Sequence, residues 1–448
     1  MNRILARAAT AAALLCLAAG AAAAGAAEPR RLTLAEAVTL ASGGAPNVML
    51  ARLRLEESTA KVGQSRAALL PSLTGQATMT QRTFNLYALG ITLPVAPGQK
   101  PYPALQGPVW DSEARLKVSQ PIVDISAWQK LRGSRLGALG SRADQAATAE
   151  AAAQGAALAY LRAARAAAVV AARDEDLQLA EQLVTLAEAQ LAAGTSPSID
   201  VTRARSQVVA SRGALEIARN QRDRARIDLA RALGLDPSTA LTLADTLSAA
   251  IGASDAPQDP GLALPFAFDH RDELRGEQAR LGKARADGAA IASERLPRLD
   301  ASADWGRSGE HYGDAIDTYA YALALTLPLV DGFRREGRLA EQRALVRESE
   351  VRARDLRDQV AAEVDAALLD LASGGEQQSI AVDRLELAVE EVAQATERFT
   401  SGVAGNIEVI NAQASLLRAR DADIDARFAV ASARIALARA TGVARNVH

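Results

Sequence analysis

Histidines, cysteines and closely spaced acids carry most protein chemistry, and this chain of 448 residues has few of them in useful arrangements. His270, His311 and His448 stand far apart, and the single cysteine is Cys16. No phosphate-cradling Gly loop and no metal-ligand spacing occurs. Adjacent acids such as Glu390 and Glu391 lie in charge-rich helical sequence and read as solvated faces. The chain therefore reads as no enzyme, with no cofactor and no metal. Two acids do stand out, because Asp200 and Glu408 each follow a glycine, Gly194 and Gly402, at the same interval. Each falls in the first turn of a restarting helix, where a carboxylate complements the helix dipole by about 0.3–1 kcal/mol.

The elements around those acids are duplicated. Residues 187–234 and 395–442 superpose without a gap at a shift of 208, pairing Gly194 with Gly402, Asp200 with Glu408, Val201 with Val409, Leu229 with Leu437 and Gly234 with Gly442. A helix that enters a Gly-containing turn and restarts is an antiparallel helical hairpin, so two copies predict a duplicated architecture. A 3-4-3-4 seam, Leu177, Ala180, Val184, Ala187 and Leu191, returns as Leu385, Ala388, Val392, Ala395 and Phe399, spacing that packs helices knobs into holes.

An apolar share of 49%, much of it Ala, suits long, closely packed helices. The expected long helices run from about Ile125 to Ala193 and from about Gly332 to Ser401, each on the order of 100 Å at ~1.5 Å per residue. Shorter helices are expected over 47–70, from Ser198 to Ala232 and from about Asp269 to Pro297. Thr33 with Glu36 reads as a capping box for a helix starting near Leu34. The 47–70 and 198–233 helices, stacked end to end, nearly match a long helix in length.

A formal charge of −2 and the absence of any basic domain argue against nucleic acid. Residues 1–27 read as a secretory signal peptide: Arg3 and Arg7, an apolar run, then small residues before Glu28. Leu15 before Cys16 argues against a lipoprotein leader. After residue 27 the sequence offers no uncharged apolar run of the ~18–20 residues that a spanning helix needs. A membrane, if crossed, must be crossed by strands.

Strand patterns occur twice. Beyond Pro71, Leu73, Gly75, Ala77 and Met79 alternate with Thr74, Gln76 and Thr78; later Trp110, Ala114, Leu116 and Val118 alternate with Asp111, Glu113, Arg115 and Lys117, up to Pro121 and Asp124. After Pro297 the same plan returns with Leu299, Ala301, Ala303 and Trp305, then Tyr319, Tyr321, Leu323, Leu325 and Leu327, up to Pro328 and Asp331. Pro71, Pro121, Pro297 and Pro328 thus mark four helix-strand junctions. Every Tyr except Tyr160 and every Trp except Trp128 falls in or beside these strands: Tyr87, Tyr102, Trp110, Trp305, Tyr312, Tyr319 and Tyr321. Two readings stand here, a small soluble sheet with aromatic cross-strand pairs or lipid-facing strands with aromatics at the water boundary. Four strands cannot close a barrel alone, so the second reading requires several copies.

The residues resemble the TolC-type outer membrane efflux protein family, through LTLAEAVTLA (32–41), RAALLPSL (66–73), SQPIVD (119–124), HRDELR (270–275), LTLPLVD (325–331) and both glycine hairpins. The resemblance covers nearly all the chain after the leader. It implies a mainly α fold with a β-barrel part: duplicated long helical hairpins form an α-barrel, and each protomer of a homotrimer contributes four strands to a shared transmembrane barrel. It orders the chain as a signal peptide (1–27), a first repeat (28–234, β-hairpin 72–120), an equatorial linker (235–265) read as irregular, and a second repeat (266–448, β-hairpin 298–327). It implies an outer-membrane location with a long periplasmic extension. The expected partners are outer membrane lipid, a periplasmic adaptor (membrane fusion) protein and an inner-membrane pump of RND or ABC type, in efflux or type I secretion. On that mapping Asp200, Glu408 and Asn411 ring the periplasmic entrance, Asn411 standing where a second acid is often found. Gly194, Thr195, Ser196, Gly402, Val403 and Ala404 form the hairpin tips where the adaptor docks. The rival reading is a soluble periplasmic coiled-coil adaptor or scaffold, which leaves the aromatic hairpins unexplained.

Overall fold

A computed structural model describes residues 30–88, 90, 94–100, 103–247 and 251–448. The expected leader (1–27) and Tyr102 lie outside the described residues. The elements, in order, are β1 (Arg30–Leu32), α1 (Leu34–Gly44), α2 (Pro46–Ala67), β2 (Ser72–Asn85), β3 (Leu105–Val123), α3 (Ile125–Ala192), α4 (Ser198–Ala232), β4 (Leu241–Leu243), α5 (Pro260–His270), α6 (Asp272–Ser293), β5 (Arg298–Gly309), β6 (Ile316–Thr326), α7 (Arg334–Thr400) and α8 (Asn406–Ala440), followed by a short 3-10 turn. The long helices fall within two residues of expectation, and the hairpins, expected over 72–120 and 298–327, occupy 72–123 and 298–326. The 235–265 stretch is not wholly irregular, since β4 pairs in parallel with β1 and α5 begins inside it.

Contacts divide the chain into two compact units that cut across the sequence repeats: residues up to Met49 with Thr148–Arg271 and Val360–His448, and Leu50–Ala147 with Asp272–Gln359. Each repeat thus supplies both units, because each long helix passes from one into the other.

The first unit is packed on small side chains. Ala153, Ala156 and Ala157 of α3 are buried against Val38, Leu229 and Ile435, a spacing that larger residues would not allow. Part of α3 is apolar enough, by length and composition, to span a membrane. That qualifies the expectation from the sequence, yet these alanines, with Tyr160 and Leu161, are buried inside the protein instead. Thr33 and Glu36 form the expected capping box at α1. The end of each return helix meets the end of a short helix: a Cβ on Gly234 (φ 71°) would lie 3.2 Å from the Gly44 carbonyl oxygen, and one on Gly442 (φ 82°) 2.9 Å from that of His270. Only glycine fits both the left-handed backbone and that approach. Buried Arg271 caps α8, donating to the Ala440 carbonyl at 3.1 Å and to Glu363 at 2.7 Å.

The second unit holds a four-stranded antiparallel sheet of order β2-β3-β5-β6. Its register joins the alternating positions into one apolar face: Leu73, Val118, Ala303 and Tyr321 form one row, and Gly75, Leu116, Trp305 and Tyr319 the next. The opposite face is polar, with Arg115 donating to Glu113, Asp304 and Thr318. At the strand-to-helix junctions the two Pro-x-x-Asp motifs act alike. Asp124 accepts from the Ala127 amide at 2.8 Å, and Asp331 accepts from the Arg335 amide and guanidinium. That guanidinium holds the Asp331 carboxyl below the usual range.

Tyr160 is fully buried, its hydroxyl donating to the Leu32 carbonyl at 2.9 Å and lying 3.1 Å from Asp245, which also accepts from the Leu34 amide. Burial, then the Asp245 charge opposed by backbone donors, pushes its pKa up to about 12. A folded-state pKa above the unfolded value of about 10 means that the stability is fully present below pH ~10 and is lost as pH rises toward 12. Tyr160→Phe should lower stability at neutral pH by about 1–3 kcal/mol and flatten the loss between pH 10 and 12. Thermal melts across that range, wild type against variant, check both.

Candidate functional site

The two helical hairpins meet at their turns in the first unit. Both turns are built the same way. The Thr195 amide donates to the Gln190 carbonyl and Gly194 to Leu191, as Val403 does to Arg398 and Gly402 to Phe399, each at 3.0–3.1 Å. These are Schellman closures, which need a left-handed residue, and Gly194 (φ 75°) and Gly402 (φ 71°) supply it. Pro197 and Gly405 precede the return helices without a side-chain cap.

Behind the turns lies an apolar core of Leu183, Ala187, Val201, Ala204, Ala388, Val392, Ala395, Phe399, Val409 and Leu416. In the second repeat the expected seam is present, with Ala388, Val392, Ala395 and Phe399 buried and Leu385 packed against them. In the first it drifts: Leu183 takes the buried place, and Leu191 is 40% exposed. A 3.5-residue pattern slips against a helix of 3.6 residues per turn, and near the tip Gln190 faces inward instead.

The predicted acids occupy different places. Asp200 is buried, its carboxylate accepting from the Ser196 hydroxyl at 2.7 Å and lying 3.6 Å from Arg203. Glu408 is half-buried and paired with Arg398 at 2.9 Å, and Asn411 is exposed. Of the tip residues, Gly194, Thr195, Gly402 and Val403 are exposed, while Ser196 and Ala404 are partly covered. Among the described residues no group of three His, Cys, Asp or Glu is placed to hold a metal ion.

Two residues that drew no attention in the sequence hold the hairpins together at their tips. Buried Gln190 of α3 donates to the Phe399 carbonyl at 2.7 Å, and fully buried Asn406 of α8 donates to the Asp200 carbonyl at 2.7 Å. Arg398, at the repeat position of Gln190, reaches Glu408 instead. The repeat carries only a faint signal: Gln190 stands against Arg398 and Ser198 against Asn406, among several other differences between the copies. Further along, Arg173 of α3 holds both Asp421 oxygens at 2.7 Å, and Arg420 of α8 answers with Asp176 at 2.6 Å. This site can brace two hairpins and present polar groups at a tip. It holds no catalytic constellation.

Known proteins match along the chain. The sequence profile of the family described as outer membrane efflux protein matches residues 37–235 and 265–443. Protein CyaE of Bordetella pertussis is 26% identical over 426 residues, 92% of this chain and 84% of CyaE. The pyoverdine export outer membrane protein OpmQ of Pseudomonas putida is 25% identical over 60% of this chain and 56% of its own length. The crystal structure of the Campylobacter jejuni CmeC outer membrane channel covers 92% of this chain and 86% of CmeC with a TM-score of 0.77 at 16% identity, which establishes a shared fold.

Gln190→Ala removes the buried bond to the Phe399 carbonyl, which then keeps only the Gly402 amide, and should destabilise the paired hairpins by about 0.5–1.5 kcal/mol. Arg398→Ala, at the matching repeat position, removes only an exposed ion pair and should cost under about 1 kcal/mol. Hydrogen exchange at the amides of α4 and α8 reads both variants.

Proposed function

The chain belongs to the outer membrane efflux protein family and is an outer-membrane channel; we propose that it conducts passively, as a homotrimer, for an efflux or type I secretion system. The observation that carries the trimeric reading is the sheet. Its β2 and β6 edges have no partner among the described strands, and one face is apolar across all four strands. Strand directions alternate, so β6 of one copy and β2 of the next can pair antiparallel and close a ring. Three four-stranded sheets give a twelve-stranded barrel, an even number above the minimum of about eight.

The apolar face has the right height. Between the row of Val123, Leu299 and Leu325 and the ion-paired row of Arg307 and Asp317, β5 advances about 26 Å at ~3.3 Å per residue. At a ~40° tilt that is roughly 20 Å, the scale of the ~25 Å apolar band of outer-membrane barrels. The polar face around Arg115 then lines water. On the helices, Val209, Ile217, Leu369, Ile380 and Leu387 are large, apolar and more than half exposed, which suits burial between copies.

In this reading the helices continue into the periplasm, and the tips around Gly194, Thr195, Gly402 and Val403 dock a periplasmic adaptor joined to an inner-membrane pump of RND or ABC type. The hairpins move outward when the adaptor engages. Glu408 and Asn411 face the narrow entrance, where a ring of carboxylates favours cations, while Asp200 serves as the buried brace behind it. A soluble adaptor or scaffold has no use for a sheet with one exposed, largely apolar face.

Two measurements test this. Protein extracted from the outer membrane in mild detergent should have three times the protomer mass; a soluble monomer or dimer would remove the shared barrel. In planar bilayers, Glu408→Ala should lower cation over anion selectivity by roughly a few-fold, while Asp200→Ala stays near wild type. The reverse order would place Asp200, not Glu408, at the entrance.

A further inference from the structure

Phe333 is the one non-glycine residue with positive φ among the described residues, at 63°, and it is 82% exposed. A bulky side chain in the left-handed region is strained, and an exposed aromatic ring adds a hydration cost, so the residue is doubly unfavourable in this protomer by itself. Gly332 beside it already adopts φ 67°, so the turn could be made without the ring. Leu329 and Val330 of the same turn are 81% and 89% exposed. Within the protomer, these three apolar residues of the turn stand exposed together.

Its place in the fold bears on what covers it. The turn leaves β6 in line with the apolar positions Tyr321, Leu323, Leu325 and Leu327. The equivalent junction of the first repeat repeats the composition. After a bulge, Val123 joins Leu299 and Leu325 in the last apolar row, and Ile122, Ile125 and Trp128 are exposed. Each junction also carries an exposed arginine with no ion pair among the described residues: Arg334 next to Phe333, and Arg132 one turn from Trp128 on the same face of α3. Apolar rings backed by free cations suit the boundary between acyl chains and lipid phosphates. For Trp128 a neighbouring copy is a poorer fit, because β3 lies inside the sheet order; Phe333 follows the β6 edge, and the matching make-up of the two junctions assigns it the same surroundings.

We propose that the two strand-to-helix junctions form a lipid-anchoring collar: Phe333 and Trp128 enter the acyl boundary of the leaflet on the helix side, and Arg334 and Arg132 reach lipid phosphates. This rests on the outer-membrane reading of the sheet. It adds to the barrel an anchor built on the turns and first helical residues beyond the strands.

The test uses the full protein reconstituted in vesicles of phosphatidylethanolamine and phosphatidylglycerol whose acyl chains are brominated near the headgroup. Three single-tryptophan proteins are compared. One keeps only Trp305 on the sheet face, one keeps only Trp128, and one carries Phe333→Trp with Trp110→Phe, Trp128→Phe and Trp305→Phe. The collar predicts that brominated lipid cuts emission roughly by half or more in all three, with little quenching by aqueous acrylamide. Quenching of Trp305 alone, with positions 128 and 333 open to acrylamide, would overturn the collar and leave the barrel standing. Positions 128 and 333 shielded from both quenchers would assign them to a contact between copies, which also overturns it. If Trp305 itself escapes the lipid quencher, the membrane reading of the sheet fails and the collar with it. Arg132→Glu with Arg334→Glu should weaken quenching at both junctions; no change would remove the phosphate contacts.

Discussion

Backbone hydrogen bonding at the sheet edges is the constraint on which the rest of this structure depends. β2 and β6 present edge N–H and C=O groups with no partner strand among the described residues, and in hydrocarbon each unsatisfied group costs several kcal/mol. Water could satisfy them, but water would then also meet Leu73, Leu116, Trp305, Tyr321 and Leu323 on the apolar face. The proposed closure with further copies meets both demands, placing the edges against each other, the apolar face against lipid and Arg115 with Asp304 against water. The helical hairpins pose no such problem. Their backbone is satisfied within each helix, and their apolar seam is filled inside one chain by Leu183, Val392, Phe399 and Leu416.

Duplication explains both the agreement and the departures between the halves. At several positions where the backbone needs a special conformation the copies agree: the turn glycines Gly194 and Gly402, the abutting Gly234 and Gly442, and the capping acids Asp124 and Asp331. Where one copy's side chain must face the other, agreement breaks down. Gln190 is inside and Arg398 outside; Asp200 is covered and Glu408 is not. Two like hairpins packed in one chain do not put both copies of a position in the same environment, so polar residues at the contact diverge while backbone determinants persist.

Much of this was legible in the sequence because the signals were long or repeated. Helices α3 and α7 are set by uninterrupted helix formers, and their ends by Gly194, Gly402 and the Pro-x-x-Asp junctions. The strand faces followed from strict alternation, since a period of two fixes the face once register is known. What escaped depended on contacts between distant segments. Nothing local marks Gln190 or Asn406 as buried, because their partners are carbonyls about two hundred positions away. Asp200 and Glu408 read as equals for the same reason. The 235–265 stretch looked irregular because three-residue β4 exists only through its pairing with β1. Trp128 stood apart as the tryptophan outside the strands, and its exposure beside a strand-to-helix junction needed the fold to be seen.

The buried bonds between the hairpins limit how a tip of this kind can move. Asn406 donates to the Asp200 carbonyl with its own Oδ1 left without a partner, and Gln190 holds the Phe399 carbonyl. Separating one hairpin from the other would expose the Phe399 ring and break both bonds. Water could replace the bonds at modest net cost, about 0.5–1.5 kcal/mol each, but not the apolar contacts of Val201, Val392 and Val409. Tilting the two hairpins together leaves that core intact and strains only exposed pairs such as Arg398 with Glu408, worth under about 1 kcal/mol. In the proposed trimer the less costly opening motion is therefore of paired hairpins against neighbouring copies, with the exposed apolar residues of α4 and α7 as the surface that slides.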